Sequence, residues 1–100
     1  MASVQSTLPV MLTLIGKPEC HLCEVAHDIV DRVVEELGQR SAADTEPLGR
    51  SIVIEQRSIL DDPALHDRYW EQIPVLLVNG VEHAHWRIDP DRLRAAILEV

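Results

Sequence analysis

The chain has 100 residues and no phenylalanine; its whole aromatic content is Tyr69, Trp70 and Trp86. A core must therefore be built from Val, Ile and Leu. Basic residues are also scarce. Nine Lys and Arg stand against 17 Asp and Glu, for a net charge of -8 and a pI near 4.9. Nucleic-acid phosphates are held by clustered cations, and those few bases are scattered along the chain, which excludes nucleic acid as a partner class. Long apolar runs are missing as well. No stretch approaches the ~20 apolar residues that span a bilayer, so no membrane association is expected. The first residues have no basic n-region: Lys17 is the first positive charge, and Pro9 and Thr13 interrupt the apolar run. That is not a secretory pattern, and a cytoplasmic location is expected.

A chain of this length makes one domain, residues 1–100, able to bury roughly two-thirds of its unfolded surface and too small for a second core. Residues 1–8 read as a loose leader. Val10 to Ile15 form a nearly continuous apolar run that predicts a central strand covered on both faces, closed by Gly16 and Pro18. Val25, Ala26, Ile29, Val30, Val33, Val34 and Leu37 then recur at three- and four-residue spacings, with Glu24, His27, Asp28, Asp31, Arg32, Glu35 and Glu36 opposite. This predicts an amphipathic helix, with Gly38 placed to end it and 39–50 following as a surface loop.

Ile52 starts a second strand that can run to Ile59, and a helix between two strands predicts a parallel pair. Asp62-Pro63 is a helix cap followed by a first-turn proline, and Asp89-Pro90 repeats it near the end. Between them, Ile73 to Val78 and Val81 to Trp86 predict two strands joined through Asn79-Gly80, a strong hairpin signal. The order is βαβαββα, an α/β architecture.

The only two cysteines, Cys20 and Cys23, sit at the handover from the first strand to the first helix. In a cytosolic setting such a pair points to redox or metal chemistry, not to a structural staple. A zinc site needs four ligands; there is no second Cys-x-x-Cys, and His21, His27, His66, His83 and His85 show no zinc-finger spacing. For thiol-disulfide exchange the attacking species is a thiolate, and an ordinary thiol pKa of about 8.5 leaves little of it at pH 7. The unpaired N–H groups and positive end of the helix favour the thiolate at Cys20. Lys17 and a protonated His21 add to this, while Glu19 and Glu24 oppose it. Cys20 is thus the expected nucleophile, and Cys23, one helical turn later, the resolving thiol.

Cys20-His21-Leu22-Cys23 in this setting, with Ile73-Pro74 further on, resembles the thioredoxin superfamily and its glutaredoxin-like branch, over roughly residues 10 to 99. The resemblance implies a four-stranded mixed sheet in order 2-1-3-4 with helices on both faces. It matches Lys17 to a lysine that glutaredoxins carry before the dithiol. It matches Pro74 to a cis-proline facing that dithiol, with Ile73 presenting backbone groups to an extended substrate; His21 and Leu22 complete the expected substrate contacts. The chain also departs from the pattern. Gln72-Ile73 replaces Thr-Val, and counting from Asn79-Gly80 the paired-glycine positions fall on Ala84-His85, followed by Trp86-Arg87. Side chains there oppose close approach of a glutathione backbone. Glutathione remains possible as reductant, although the motif that would bind it is degraded.

The expected function is a thiol-disulfide oxidoreductase without metal or organic cofactor, acting as a monomer. Its partners are a disulfide-containing protein or small thiol, and a thiol reductant or reductase. The alternatives are a catalytically weak binding or regulatory module of the same fold, and, behind it, a metal or cluster carrier. His83 and His85 alternate on a strand and read first as a solvated edge; Trp86 reads equally as packing or as a groove wall.

Overall fold

The computed structural model describes residues 9–44 and 51–100. Residues 1–8, the expected leader, and 45–50 lie outside the described residues. The elements are β1 (Val10–Gly16), α1 (His21–Asp44), β2 (Ile52–Ser58), α2 (Pro63–Tyr69), β3 (Val75–Val78), β4 (Val81–His85) and α3 (Pro90–Glu99). They form one four-stranded sheet in the order β2-β1-β3-β4, as the resemblance implies. β1 pairs in parallel with β2, Val10 opposite Ile52 and Gly16 opposite Ser58, and antiparallel with β3, Ile15 opposite Val75.

Alternation along β1 sends its side chains to two cores. Val10, Leu12 and Leu14 face α1 and α3, where they meet Ala26, Val30, Val33, Leu37, Leu93 and Ile97. Ile15 turns the other way, to Val75, Ile59 and Tyr69 of α2. Helices thus cover both faces, but unequally. α2 has only 7 residues, and Met11, on its side of the sheet, keeps 37% exposure against 0% for Leu12. Thr13, also on that side, is buried and donates from Oγ1 to Glu55 at 3.4 Å. The expectation of a strand covered on both faces therefore holds at the Gly16 end and fails at Met11.

Both cap-plus-proline signals form. Asp62 accepts from the Ala64 amide at 2.9 Å, and Asp89 from those of Asp91 at 2.9 Å and Arg92 at 3.2 Å. Asn79 and Gly80 take φ of 52° and 84°, the two left-handed positions of a type I′ turn. Arg94 ties α3 to α1 through Glu36 at 2.8 Å, while also meeting Asp91 of its own helix at 2.7 Å.

One boundary differs by most of two turns. α1 does not stop at Gly38 but continues to Asp44, so 39–44 is helix where a loop was expected. Glycine inside a helix costs only about 1 kcal/mol relative to alanine, and the residues after it, Gln39-Arg40-Ser41-Ala42-Ala43, include good helix formers and no proline. A glycine terminates a helix only when the chain beyond it has a better alternative.

The two faces of β1 make a stability prediction. Leu12→Ala should lower the unfolding free energy by about 2–5 kcal/mol, the usual range for a buried leucine, whereas its neighbour Met11→Ala should stay within about 1 kcal/mol. Urea denaturation of the two variants compares them directly.

Candidate active site

Strand register brings four connections to one end of the sheet. Gly16 pairs with Ser58, Ile15 with Val75, and Val75 with His85. The segments after β1, after β2, before β3 and after β4 therefore all emerge there. Lys17 to Cys20 belongs to the first of these, Ile73-Pro74 to the third and Trp86-Arg87 to the last.

Cys20 and Cys23 are joined by a disulfide, with Cα atoms 5.2 Å apart. Glu19 turns the chain through a left-handed conformation, φ 59°, immediately before Cys20. The Cys20 carbonyl accepts from Glu24 at 3.1 Å, opening the helix, and the Cys23 amide donates to Cys20 Sγ at 3.2 Å. Cys20 thereby occupies the position of an N-cap residue, its sulfur satisfying one of the helix's orphan donors. The same donor would stabilise a thiolate.

Gly16 is what lets this corner close. A Cβ there would lie 2.8 Å from Cys23 Sγ and 3.2 Å from Cys23 Cβ, while the Gly16 carbonyl accepts from Ile59 at 2.9 Å. The sequence marked Gly16 as a strand end; its close contact with Cys23 needed the fold.

Two concavities of different character lie along the first turns of α1. On the Cys23 side lies a cleft of about 330 Å³ that includes Leu14, Gly16, Lys17, His27, Arg57 and Asp61 in its walls. A second, largely apolar groove of about 270 Å³ is walled by Leu22, Val25, Ala26 and Ile29 of α1 and by Trp86, Arg87 and Ile88. Lys17 thus shares the cleft of Cys23, whereas Leu22, half exposed, faces the groove. His21 is exposed at the helix start. Pro74 is buried and the Ile73–Pro74 bond is cis. Ile73 packs against the core cluster of Ile15, Ile59, Tyr69 and Val75, and among the described residues neither its N–H nor its carbonyl has a hydrogen-bond partner.

Trp86 is the other fixed point. It sits at φ 64°, donates its amide to the Pro74 carbonyl at 2.8 Å, and donates Nε1 to the Glu71 carbonyl at 3.0 Å. His85 packs edge-on against its ring at 4.8 Å between centroids. Ala84 and His85 themselves lie in β4, opposite Leu76 and Val75, because a bulge inserts His83 between the Leu76 and Leu77 pairings. The strand expected over Val81 to Trp86 ends one residue earlier, at His85, so the paired-glycine positions counted onto Ala84-His85 lie within β4 and the chain turns at Trp86-Arg87.

His83 and His85 are half-buried, so the solvated edge expected of them is only partly realised. His85 Nδ1 lies 3.4 Å from Glu82. His83 lines a separate polar hollow with Arg87, Asp89 and Arg92, and burial, helped by the Arg92 charge, lowers its pKa below 6.5. Among the described residues no three His, Cys, Asp or Glu side chains come together as a metal site requires.

A four-stranded mixed sheet of this order, with a Cys-x-x-Cys pair bonded at the start of α1, defines a thioredoxin-like protein. The Glutaredoxin-like domain (DUF836) family matches residues 11–98, and the chain belongs to that family. An uncharacterised protein of Mycobacterium tuberculosis, Rv0508, is 30% identical over 87 residues, covering 84% of this chain and 78% of that one. The X-ray structure of XcR50 from X. campestris, a structural genomics target, superposes with a TM-score of 0.60 at 28% identity, covering 86% of this chain and 93% of that one. Chloroplastic thioredoxin z superposes at a TM-score of 0.61 and 11% identity over 89% and 75% of the two chains, a likeness of fold alone.

Two measurements probe these packing relations. Gly16→Ala must displace either the Cys23 sulfur or the strand end, and should destabilise the oxidised protein by about 1–3 kcal/mol, read by urea unfolding without reductant. His83 acts through pH. Its native pKa is lowered, so as pH falls through about 6.5 the unfolded chain takes up a proton that the native state resists, and stability declines. The urea midpoint should therefore drop less between pH 7.5 and 5.5 in His83→Gln than in the parent protein.

Proposed function

We propose that the chain is a thiol-disulfide oxidoreductase in which Cys20 is the nucleophile and Cys23 the resolving thiol. The observation that carries this reading is the Cys23 amide donating to Cys20 Sγ at 3.2 Å. A backbone donor fixed at a helix N-terminus favours the sulfur's anionic form over its neutral one. Cys20 attacks a substrate disulfide, forming a mixed disulfide and releasing one substrate thiol. Cys23 then attacks Cys20 Sγ, releases the second, and leaves the intramolecular disulfide for a thiol reductant or reductase to reopen.

The substrate is a disulfide on an extended polypeptide. Ile73 offers an N–H and a carbonyl with no partner among the described residues, the requirement for pairing with a main chain. The groove along Leu22, Val25 and Trp86 accepts an apolar side chain of that segment. Glutathione is the poorer fit, because the turn after β4 carries the indole of Trp86, pinned to Glu71, where a small ligand's backbone would approach. On this reading no metal or organic cofactor takes part, and the reaction is cytoplasmic.

Cysteine substitutions separate the roles. With a disulfide-bonded peptide, Cys23→Ser should accumulate a mixed disulfide visible by mass spectrometry under non-reducing conditions, and Cys20→Ser should not. In the reduced parent protein, Cys20 should be alkylated faster than Cys23 at neutral pH. Equal rates would leave a binding module of the same fold as the better account.

A further inference from the structure

The resolving step has its own chemical difficulty. Cys23 must be a thiolate when it attacks, yet the amide at the helix start is aimed at Cys20 Sγ, not at Cys23. A proton acceptor for Cys23 has to come from its own surroundings. On its side of the dithiol the cleft is walled by His27 of α1, Arg57 of β2, and Lys17 and Asp61 from the loops after β1 and β2, over an apolar floor at Leu14. Lysine and arginine side chains serve as donors, and a carboxylate is a much weaker base toward a thiol than an imidazole is. The imidazole is the one group in that wall suited to take a proton near pH 7.

Helical spacing puts it in place. His27 follows Cys23 by four residues on α1, so the two side chains lie on one face about 5–6 Å apart at Cβ. Asp31 continues the face by another four, with Oδ2 3.4 Å from His27 Nδ1. A proton on Nδ1, the nitrogen nearer that carboxylate, would leave Nε2 as the accepting nitrogen of a ring that lines the cleft. The ring is only half-buried, so it can pass a proton on to water.

We propose that His27 is the proton acceptor for Cys23 in the resolving step, oriented by Asp31; this rests on the oxidoreductase reading above. The Cys23 thiol gives its proton to His27 Nε2, directly or through one water. The thiolate then attacks Cys20 Sγ, the Cys20–Cys23 bond forms, and the bond from Cys20 to substrate sulfur breaks. The substrate leaves as a thiolate carrying the electron pair, and the imidazolium returns its proton to that thiolate or to solvent. Two electrons have moved from the dithiol to the substrate disulfide.

Stopped-flow reaction of the reduced full chain with one equivalent of 5,5′-dithiobis(2-nitrobenzoate) reads the two steps apart. The first thionitrobenzoate released reports attack by Cys20, the second displacement by Cys23. In His27→Gln the first phase should be unchanged and the second slowed roughly 10- to 100-fold at pH 7, at and below the low end of what a positioned base contributes. The curves should converge above about pH 8.5, where a thiol ionises unaided, and added imidazole should restore part of the loss. Asp31→Asn should give a smaller slowing with the same convergence. A second phase as fast as in the parent, or slowed equally at every pH, overturns the role of His27 and leaves the oxidoreductase reading standing. A first phase no faster than that of a free thiol overturns that reading, and the inference with it.

Discussion

The sulfur of Cys23 and the backbone of Gly16 lie so close that a single added methyl group would fall 2.8 Å from Cys23 Sγ, and much of the functional end depends on that contact. It fixes where the first turn of α1 meets the end of the central strand. The Gly16 carbonyl, meanwhile, is held by Ile59, which belongs to the second core with Ile15, Tyr69 and Val75. The dithiol is thereby referenced to both cores at once. Cys20 is free to occupy the capping position because the rest of the turn is already anchored.

That anchoring divides the surroundings of the dithiol by polarity. β1 and β2 end in Gly16 and Ser58, and the segments leaving them supply the charged cleft of Lys17, Arg57 and Asp61 on the Cys23 side. β4 ends on the far side of β3, and its departing segment supplies Trp86 and Ile88 to the apolar groove beside Leu22. Were the dithiol to act on a chain and pass a proton, as proposed, the polar cleft would serve the proton and the largely apolar groove the chain, since burying charge against an apolar segment would oppose its docking.

Much of this was legible from residue order. The strands and helices followed from apolar spacing, two helix starts from Asp-Pro, and the hairpin from Asn-Gly, because each rests on local backbone chemistry that tertiary packing did not oppose. The parts that were not legible are those set by non-local competition. Gly38 carries a terminator's signal, but helix formers follow it and α1 runs on to Asp44. His27 reads as one polar residue on a solvated helix face until β2 and the loop beyond it close a cleft over that face; its only local signal was the four-residue step from Cys23. The bulge at His83, which shifts the rest of β4 by one residue against β3, left no mark in composition or period.

The exceptions to local rules also have a distribution, and it carries information. Among the described residues three non-glycine side chains sit at positive φ: Glu19, Asn79 and Trp86. Asn79 belongs to a turn that demands it and lies at the opposite end of the sheet. Glu19 and Trp86 have no such excuse, since neither residue type favours the left-handed region, where a conformation costs on the order of 1–3 kcal/mol. Glu19 immediately precedes Cys20, and Trp86 walls the groove beside Leu22. Trp86 is held in place by two hydrogen bonds, to Pro74 and Glu71, and Glu19 by the capping of α1 one residue later. An unfavourable backbone persists where the surroundings over-determine it, and here those surroundings fix the Cys20 corner and the wall of the groove. The end of the sheet that gathers the dithiol is therefore also the end where local preference has been overruled, which accords with the site proposed there.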